Sequence, residues 1–148
     1  MGVRREGREA AVQYLYLRDL NGDSDLPAYY KFRGLSPSAR RFSDKLIQGA
    51  IEHQQAIDET IRGNTQNYEL ARISVVDRNV LRVAIYEMLH CPEIPPVVSI
   101  NEAIEIAKKY STEESGRFVN GVLDQILSAL NRPGRTAGQA AREESEEA

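Results

Sequence analysis

Apolar residues recur along this chain at spacings of three and four, the period of helices with one buried face. The first such stretch runs from about Arg4 to Leu20 and stops at Asn21-Gly22, a pair suited to a helix end. A short element is expected near Ala28–Phe32. Ser36-Pro37 then sets a capping serine before a proline at the first helical position. One long helix is expected behind it, carrying Phe42, Leu46, Ile47, Ala50, Ile51, Ile57 and Ile61 and ending at Gly63-Asn64. Ser74-Val75-Val76-Asp77 is a capping box with Asp in place of Glu, and it opens a helix to about Leu89. On its wheel Ile73, Val76, Val80, Val83 and Ala84 form one apolar arc and Leu81, Ile85 and Met88 a second. Only Arg78, Asn79 and Arg82 make a polar sector, so this helix is expected at the centre of its domain. After Cys91-Pro92 and Ile94-Pro95-Pro96 break the chain, two S-x-x-E boxes, Ser99–Glu102 and Ser111–Glu114, are each expected to open a helix. The pattern predicts an all-α domain of six or seven helices with no internal repeat, and no alternation that would make a hairpin.

Length and composition agree with that picture. The 148 residues suit one domain, and 41% hydrophobic with 28% charged residues is ordinary globular composition. No apolar run approaches the ~18 residues of a membrane span, and the polar start Met1-Gly2-Val3-Arg4-Arg5-Glu6 lacks the apolar core of a secretory signal. One cysteine, Cys91, allows neither an internal disulfide nor a metal cluster, so a cytoplasmic location is expected. The net charge of -3 is unevenly spread. From Ala137 to Ala148, Arg142 stands against Glu143, Glu144, Glu146 and Glu147, which accounts for the whole excess and leaves residues 1–136 neutral. A helical domain over 1–132 is therefore expected, followed by a disordered acidic tail over 133–148.

The candidate chemistry is binding, not catalysis. The two histidines, His53 and His90, fall on different predicted helices, and no nucleophile, phosphate-loop or zinc motif occurs. No catalytic residue, metal or cofactor is expected. Glu87 shares the apolar arc of the central helix and reads as a structural carboxylate, paired with an arginine or capping a neighbouring helix. Arg4, Arg5 and Arg8 crowd the start of the first helix, where positive charge opposes the dipole. The same face turns apolar at Ala11, Val12 and Leu15, so the start is expected to project beyond the core and offer guanidinium groups to phosphates. A second candidate patch is Lys108, Lys109 and Arg117 around Phe118, cations beside an aromatic that suits base stacking if the ring is accessible and is core otherwise. The 31–45 stretch is also basic, with Lys31, Arg33, Arg40, Arg41 and Lys45 against Asp44.

Four blocks, taken in order, resemble the NusB family of bacterial transcription antitermination factors. Arg4-Arg5-x-x-Arg8-Glu9-x-Ala11-Val12-Gln13-x-Leu15-Tyr16 is similar to its opening motif, and Val76-Asp77-Arg78-x-Val80-Leu81-Arg82-x-Ala84-x-Tyr86-Glu87 to its central helix. Ile100–Lys108 and Phe118–Asp124 are similar to its closing motifs. The resemblance covers Arg4 to about Leu130; residues 21–35 match no part of the pattern, and Glu6 stands where relatives can carry another basic residue.

The resemblance implies two packed helical subdomains and no enzyme activity. It implies binding of boxA, a short single-stranded element of ribosomal RNA leader transcripts, in a heterodimer with the small-subunit ribosomal protein NusE. That pair joins other Nus factors at RNA polymerase and makes it resist termination. It assigns RNA binding to Arg4, Arg5, Arg8, Gln13, Tyr16, Arg117 and Phe118, and NusE contact to Asp77 and Arg78. Some members self-associate through the RNA-facing side, so a homodimer is an alternative partner. Two other readings stay open: the NusB-like module of a ribosomal RNA cytosine methyltransferase, and a helical protein-binding module that does not touch RNA.

Overall fold

The computed structural model describes residues 2–65 and 69–130, so the acidic tail expected over 133–148 lies outside the described residues. Among the described residues are seven α-helices and no strand: α1 (Val3–Asn21), α2 (Leu26–Arg33), α3 (Pro37–Glu52), α4 (Gln54–Gly63), α5 (Val75–His90), α6 (Pro96–Tyr110) and α7 (Glu113–Leu130). A 3-10 turn at Leu70–Arg72 precedes α5. None of these helices is long and apolar enough to cross a membrane.

Several ends follow the local chemistry read from the sequence. Gly22 takes a positive φ of 81° and its N–H bonds the Arg18 carbonyl, closing α1. Ser36 Oγ accepts from the Ala39 N–H with Pro37 at the first position of α3, and Ser74 Oγ accepts from the Asp77 N–H at the start of α5. Two boxes resolve differently. The cap of α6 is Pro95, so Ser99 and Glu102 lie inside the helix and their side chains reach other helices instead. At α7 the cap is one residue later than expected, with Thr112 Oγ1 accepting from the Ser115 N–H at 3.0 Å.

The long helix expected after Ser36 is two helices, broken at His53. The apolar spacing runs through the break, because each half buries its face against a different neighbour. α3 packs mainly along α1, whereas α4 turns onto α5. At the bend, the ring of Tyr86 from α5 occupies the space beside Gly49, and His53, Tyr86 and His90 stack. α1–α4 form one packed unit and α6–α7 with α5 a second. α5 joins them, touching α1, α3, α4, α6 and α7, which is the central place its wheel predicts. Leu81 and Ile85 are fully buried there, each contributing about 1.5–3 kcal/mol relative to exposure. Its polar sector is covered as well: Arg82 makes a two-bond contact with Asp58 of α4 at 2.8 and 3.0 Å and reaches Asp19 of α1 at 2.7 Å.

Gly49 is required by close approach. A Cβ there would lie 2.1 Å from the Tyr86 ring. Gly49→Ala is expected to lower stability by about 1–3 kcal/mol through overpacking, measured by urea unfolding; an unchanged midpoint would show that the ring moves aside freely.

Candidate nucleic-acid interface

α1 carries ion pairs to its neighbours along its whole length. Arg5 forms two bonds with Glu102 of α6, Nε at 2.7 Å and Nη2 at 2.6 Å, and its side chain stays partly in solvent. That guanidinium holds the Glu102 carboxyl below the ordinary carboxylate range. Arg8 is only 4% exposed and forms two bonds with Glu87 of α5, at 2.8 and 2.9 Å. Ser99 Oγ of α6 donates to the same carboxylate at 2.8 Å. Phe42 of α3 lies beneath both Arg4 and Arg8, its centroid 5.3 Å from each guanidinium carbon. Glu9 accepts from Lys109 Nζ at 2.9 Å and from the Tyr110 hydroxyl at 2.8 Å.

The exposed patch expected of three arginines is therefore two. Arg4 is exposed and Arg5 partly so, while Arg8 is withdrawn into the core, and the expectation that the helix start overhangs the core fails at its second turn. The burial of Gly7 explains why: Ala39, Phe42 and Ser43 of α3 close against the backbone there, leaving Arg8 beneath a second helix. Glu87 has the structural role read for it, pairing with Arg8 and accepting a bond from α6.

Gln13 and Tyr16 lie farther along the same helix. Gln13 Oε1 accepts from Arg33 of α2 and from the Tyr29 hydroxyl. Tyr16, with Val12, Gln13, Val76 and Tyr110, lines an open groove of about 260 Å³. From Arg5 to Tyr16 is about 16 Å at 1.5 Å per residue, with Lys109 between them. At 3.6 residues per turn Arg5, Glu9, Gln13 and Tyr16 follow one side of α1 as a track of charged, amide and aromatic groups, whereas Arg4 lies half a turn away from Gln13, at the start of the helix beside Phe42. Lys109, Tyr110 and Arg33 join the track from other helices; the sequence marks Lys109 and Arg33 only within separate basic stretches, and no local spacing announces Tyr110 or the meeting of all three at α1.

Arg117 and Phe118 are not beside the N-terminal arginines. Arg117 is exposed; Phe118 is half-buried and packs on the core, and it lines a separate cavity of about 210 Å³ with Arg72, Ser74, Asp77 and Ser115. That cavity brings Phe118 to Asp77, one residue from Val76 in the other groove. Asp77 is 8% exposed and its Oδ1 has no hydrogen-bond partner. Burial raises its carboxyl above the ordinary aspartate range, against the opposing pull of the Ser115 and Ser74 hydroxyls. Arg78 turns the other way: its Nε lies 3.4 Å from Asp19 and its Nη1 donates to the Leu70 carbonyl. Of the two expected partner contacts, Asp77 faces a cavity and Arg78 is tied within the fold. No cluster of three metal-ligating side chains occurs among the described residues.

The NusB family model matches residues 5–128. The chain belongs to the NusB family. The transcription antitermination protein NusB of Geobacter sulfurreducens is 46% identical over 134 residues, covering 88% of this chain and 97% of that protein. The protein of the same name from Bacillus cereus is 47% identical over 128 residues, covering 86% and 98%. Among solved structures, T. maritima NusB superposes with a TM-score of 0.77 at 41% identity, over 84% of this chain and 90% of that one. NusB from a crystal structure of antitermination factors NusB and NusE in complex with dsRNA superposes at 0.79 with 28% identity, over 86% and 97%. Members of the family carry the name of a transcription factor rather than of a catalysed reaction.

The buried charges set two expected outcomes. Arg8→Ala leaves Glu87 uncompensated and is expected to cost about 3–5 kcal/mol in chemical unfolding, against less than about 1 kcal/mol for the partly exposed Arg5→Ala; equal losses would contradict the assignment. For Asp77 the folded-state pKa is raised, so protonation favours folding and the penalty grows as pH rises through that pKa. Asp77→Asn is expected to raise Tm at pH 7, and the gain should vanish near pH ~3, where the carboxyl is protonated in both states. A gain that is the same at both pH values would rule out the charge as its source.

Proposed function

We propose that this chain is a transcription antitermination factor that binds boxA-type single-stranded RNA in ribosomal RNA leader transcripts together with NusE. Bound there, it helps RNA polymerase and other Nus factors transcribe ribosomal RNA processively, in the cytoplasm. The observation that carries the reading is the track along α1, on a chain that spans nearly the whole length of its antitermination relatives. Arg4 and Arg5 hold phosphates at one end. Gln13 and Tyr16 meet RNA at the other, with the aromatic rings of the groove available for stacking. Arg8 acts through α1, fixing the helix so that Arg4 and Arg5 stand at its start, one beside α3 and the other beside α6. The mechanism is assembly: no bond is made or broken, and the protein fixes RNA and partner in one geometry.

The Asp77 cavity is the proposed NusE contact. A buried carboxylate with a free acceptor oxygen is suited to a donor group from a partner. Phe118 borders this cavity and the exposed Arg117 precedes it in α7, so RNA and NusE would meet near the start of α7. Support comes from the structural neighbour in which NusB is held with NusE and RNA. A homodimer through the RNA-facing edge would compete with RNA, and mass measurement with and without RNA separates the two states.

The test is RNA titration of the full chain with NusE at two salt concentrations. Arg4→Ala with Arg5→Ala is expected to weaken boxA binding and to reduce the slope of log affinity against log salt by about 0.7 for each phosphate no longer engaged. The fold should survive, since Arg4 is exposed and Arg5 is partly in solvent. Unchanged affinity and slope in the double variant would remove Arg4 and Arg5 from the site.

A further inference from the structure

Phe32, near the end of α2, is 86% exposed, far beyond any other large apolar side chain among the described residues; the next, Val97, is 56% exposed. Its surroundings are cationic. Lys31 and Arg33 flank it, Arg40 and Arg41 follow in the first turns of α3, and no carboxylate occurs from Leu26 to Ser43. Two carboxylates bound that stretch: Asp25 caps α2 through the Ala28 N–H, and Asp44 accepts from the Tyr30 hydroxyl. Arg40 lies over the Tyr30 ring, 4.9 Å from its centroid, which folds the start of α3 back onto α2. The corner also adjoins the track on α1, because Arg33 and Tyr29 both donate to Gln13.

We propose that this α2–α3 corner is an additional RNA contact: Phe32 stacks on an unpaired base of the strand that continues past Gln13, while Lys31, Arg40 and Arg41 hold flanking phosphates. The inference rests on the RNA-binding reading above and extends it to helices outside the matched motifs. Charge chooses the occupant. Four cations against the two bounding carboxylates leave a local positive excess that suits a polyanion, and a ring set among cations lacks the contiguous apolar patch of a protein hot spot. A single strand is required, because the faces of bases within a duplex are already stacked.

The experiment compares two fluorescently labelled RNAs, a boxA core alone and the same core extended by single-stranded nucleotides on both sides, with the full chain and NusE. Phe32→Ala is expected to weaken binding of the extended RNA about tenfold, within the range for loss of one stacked base, and to leave the core RNA and Tm nearly unchanged. Phe32→Trp should retain the affinity and Phe32→Leu should not. Lys31→Ala with Arg41→Ala should lower the salt slope for the extended RNA only. If Phe32→Ala binds the extended RNA like the parent while Arg4→Ala/Arg5→Ala loses both RNAs, the corner is not a contact and the main reading stands. If all variants bind both RNAs like the parent, both readings fall. Full affinity in Phe32→Leu, or an effect of Phe32→Ala confined to NusE binding or self-association, would also overturn the stacking role.

Discussion

The pairing of Arg8 with Glu87 is the constraint on which the rest of this structure depends. Removing either partner strands a charge in the core, so the two must meet, and they meet only if α1 and α5 lie at one height and one rotation. Ser99 adds α6 to the same carboxylate, and Phe42 of α3 covers the guanidinium. Four helices are thereby fixed around one ion pair. A hydrophobic core of similar area would bind these helices as tightly but would tolerate sliding; a two-bond arginine–carboxylate contact does not.

That fixation bears on function because α1 is both core and interface. Its inward positions, Ala11, Val12 and Leu15, are buried, and residues of the proposed RNA track occupy its edge. An arginine can engage a phosphate only from a set position, and a mobile helix would lose that entropy at binding. Arg5 is itself held by Glu102, so a phosphate there meets a guanidinium already oriented and must share it with, or take it from, a carboxylate. Arg4 is held differently, resting on the face of the Phe42 ring, which steadies the guanidinium without using its N–H donors.

The fold was legible wherever local chemistry decides the outcome. Ser36-Pro37, Ser74 and Gly22 act through backbone groups within a few residues, and the two apolar arcs of α5 state its central place without reference to anything distant. It was illegible wherever a distant residue decides. The break at His53 reflects a change of packing partner from α1 to α5, and the local pattern does not change there. Ser99 and Glu102 have the spacing of a cap, but Glu87 and Arg5, from other helices, claim their side chains. The site follows the same division. The arginine cluster is visible in sequence, whereas the burial of Arg8 depends on Gly7 admitting α3, and the meeting of Phe118 with Asp77 depends on how α7 returns along α5.

The same division explains how a chain with no basic excess is read as an RNA binder. A count over residues 1–136 treats every charge alike, and by that count the body is neutral. In three dimensions the charges are of two kinds. Glu87, Asp58 and Asp19 face Arg8, Arg82 and Arg78 inside the fold, where three charges of each sign cancel and little of either is felt at a distance. The field outside is set by what remains, and at the α2–α3 corner what remains is cationic from Leu26 to Ser43. Net charge measures the sum; a polyanion approaching the surface responds to the unpaired part of it.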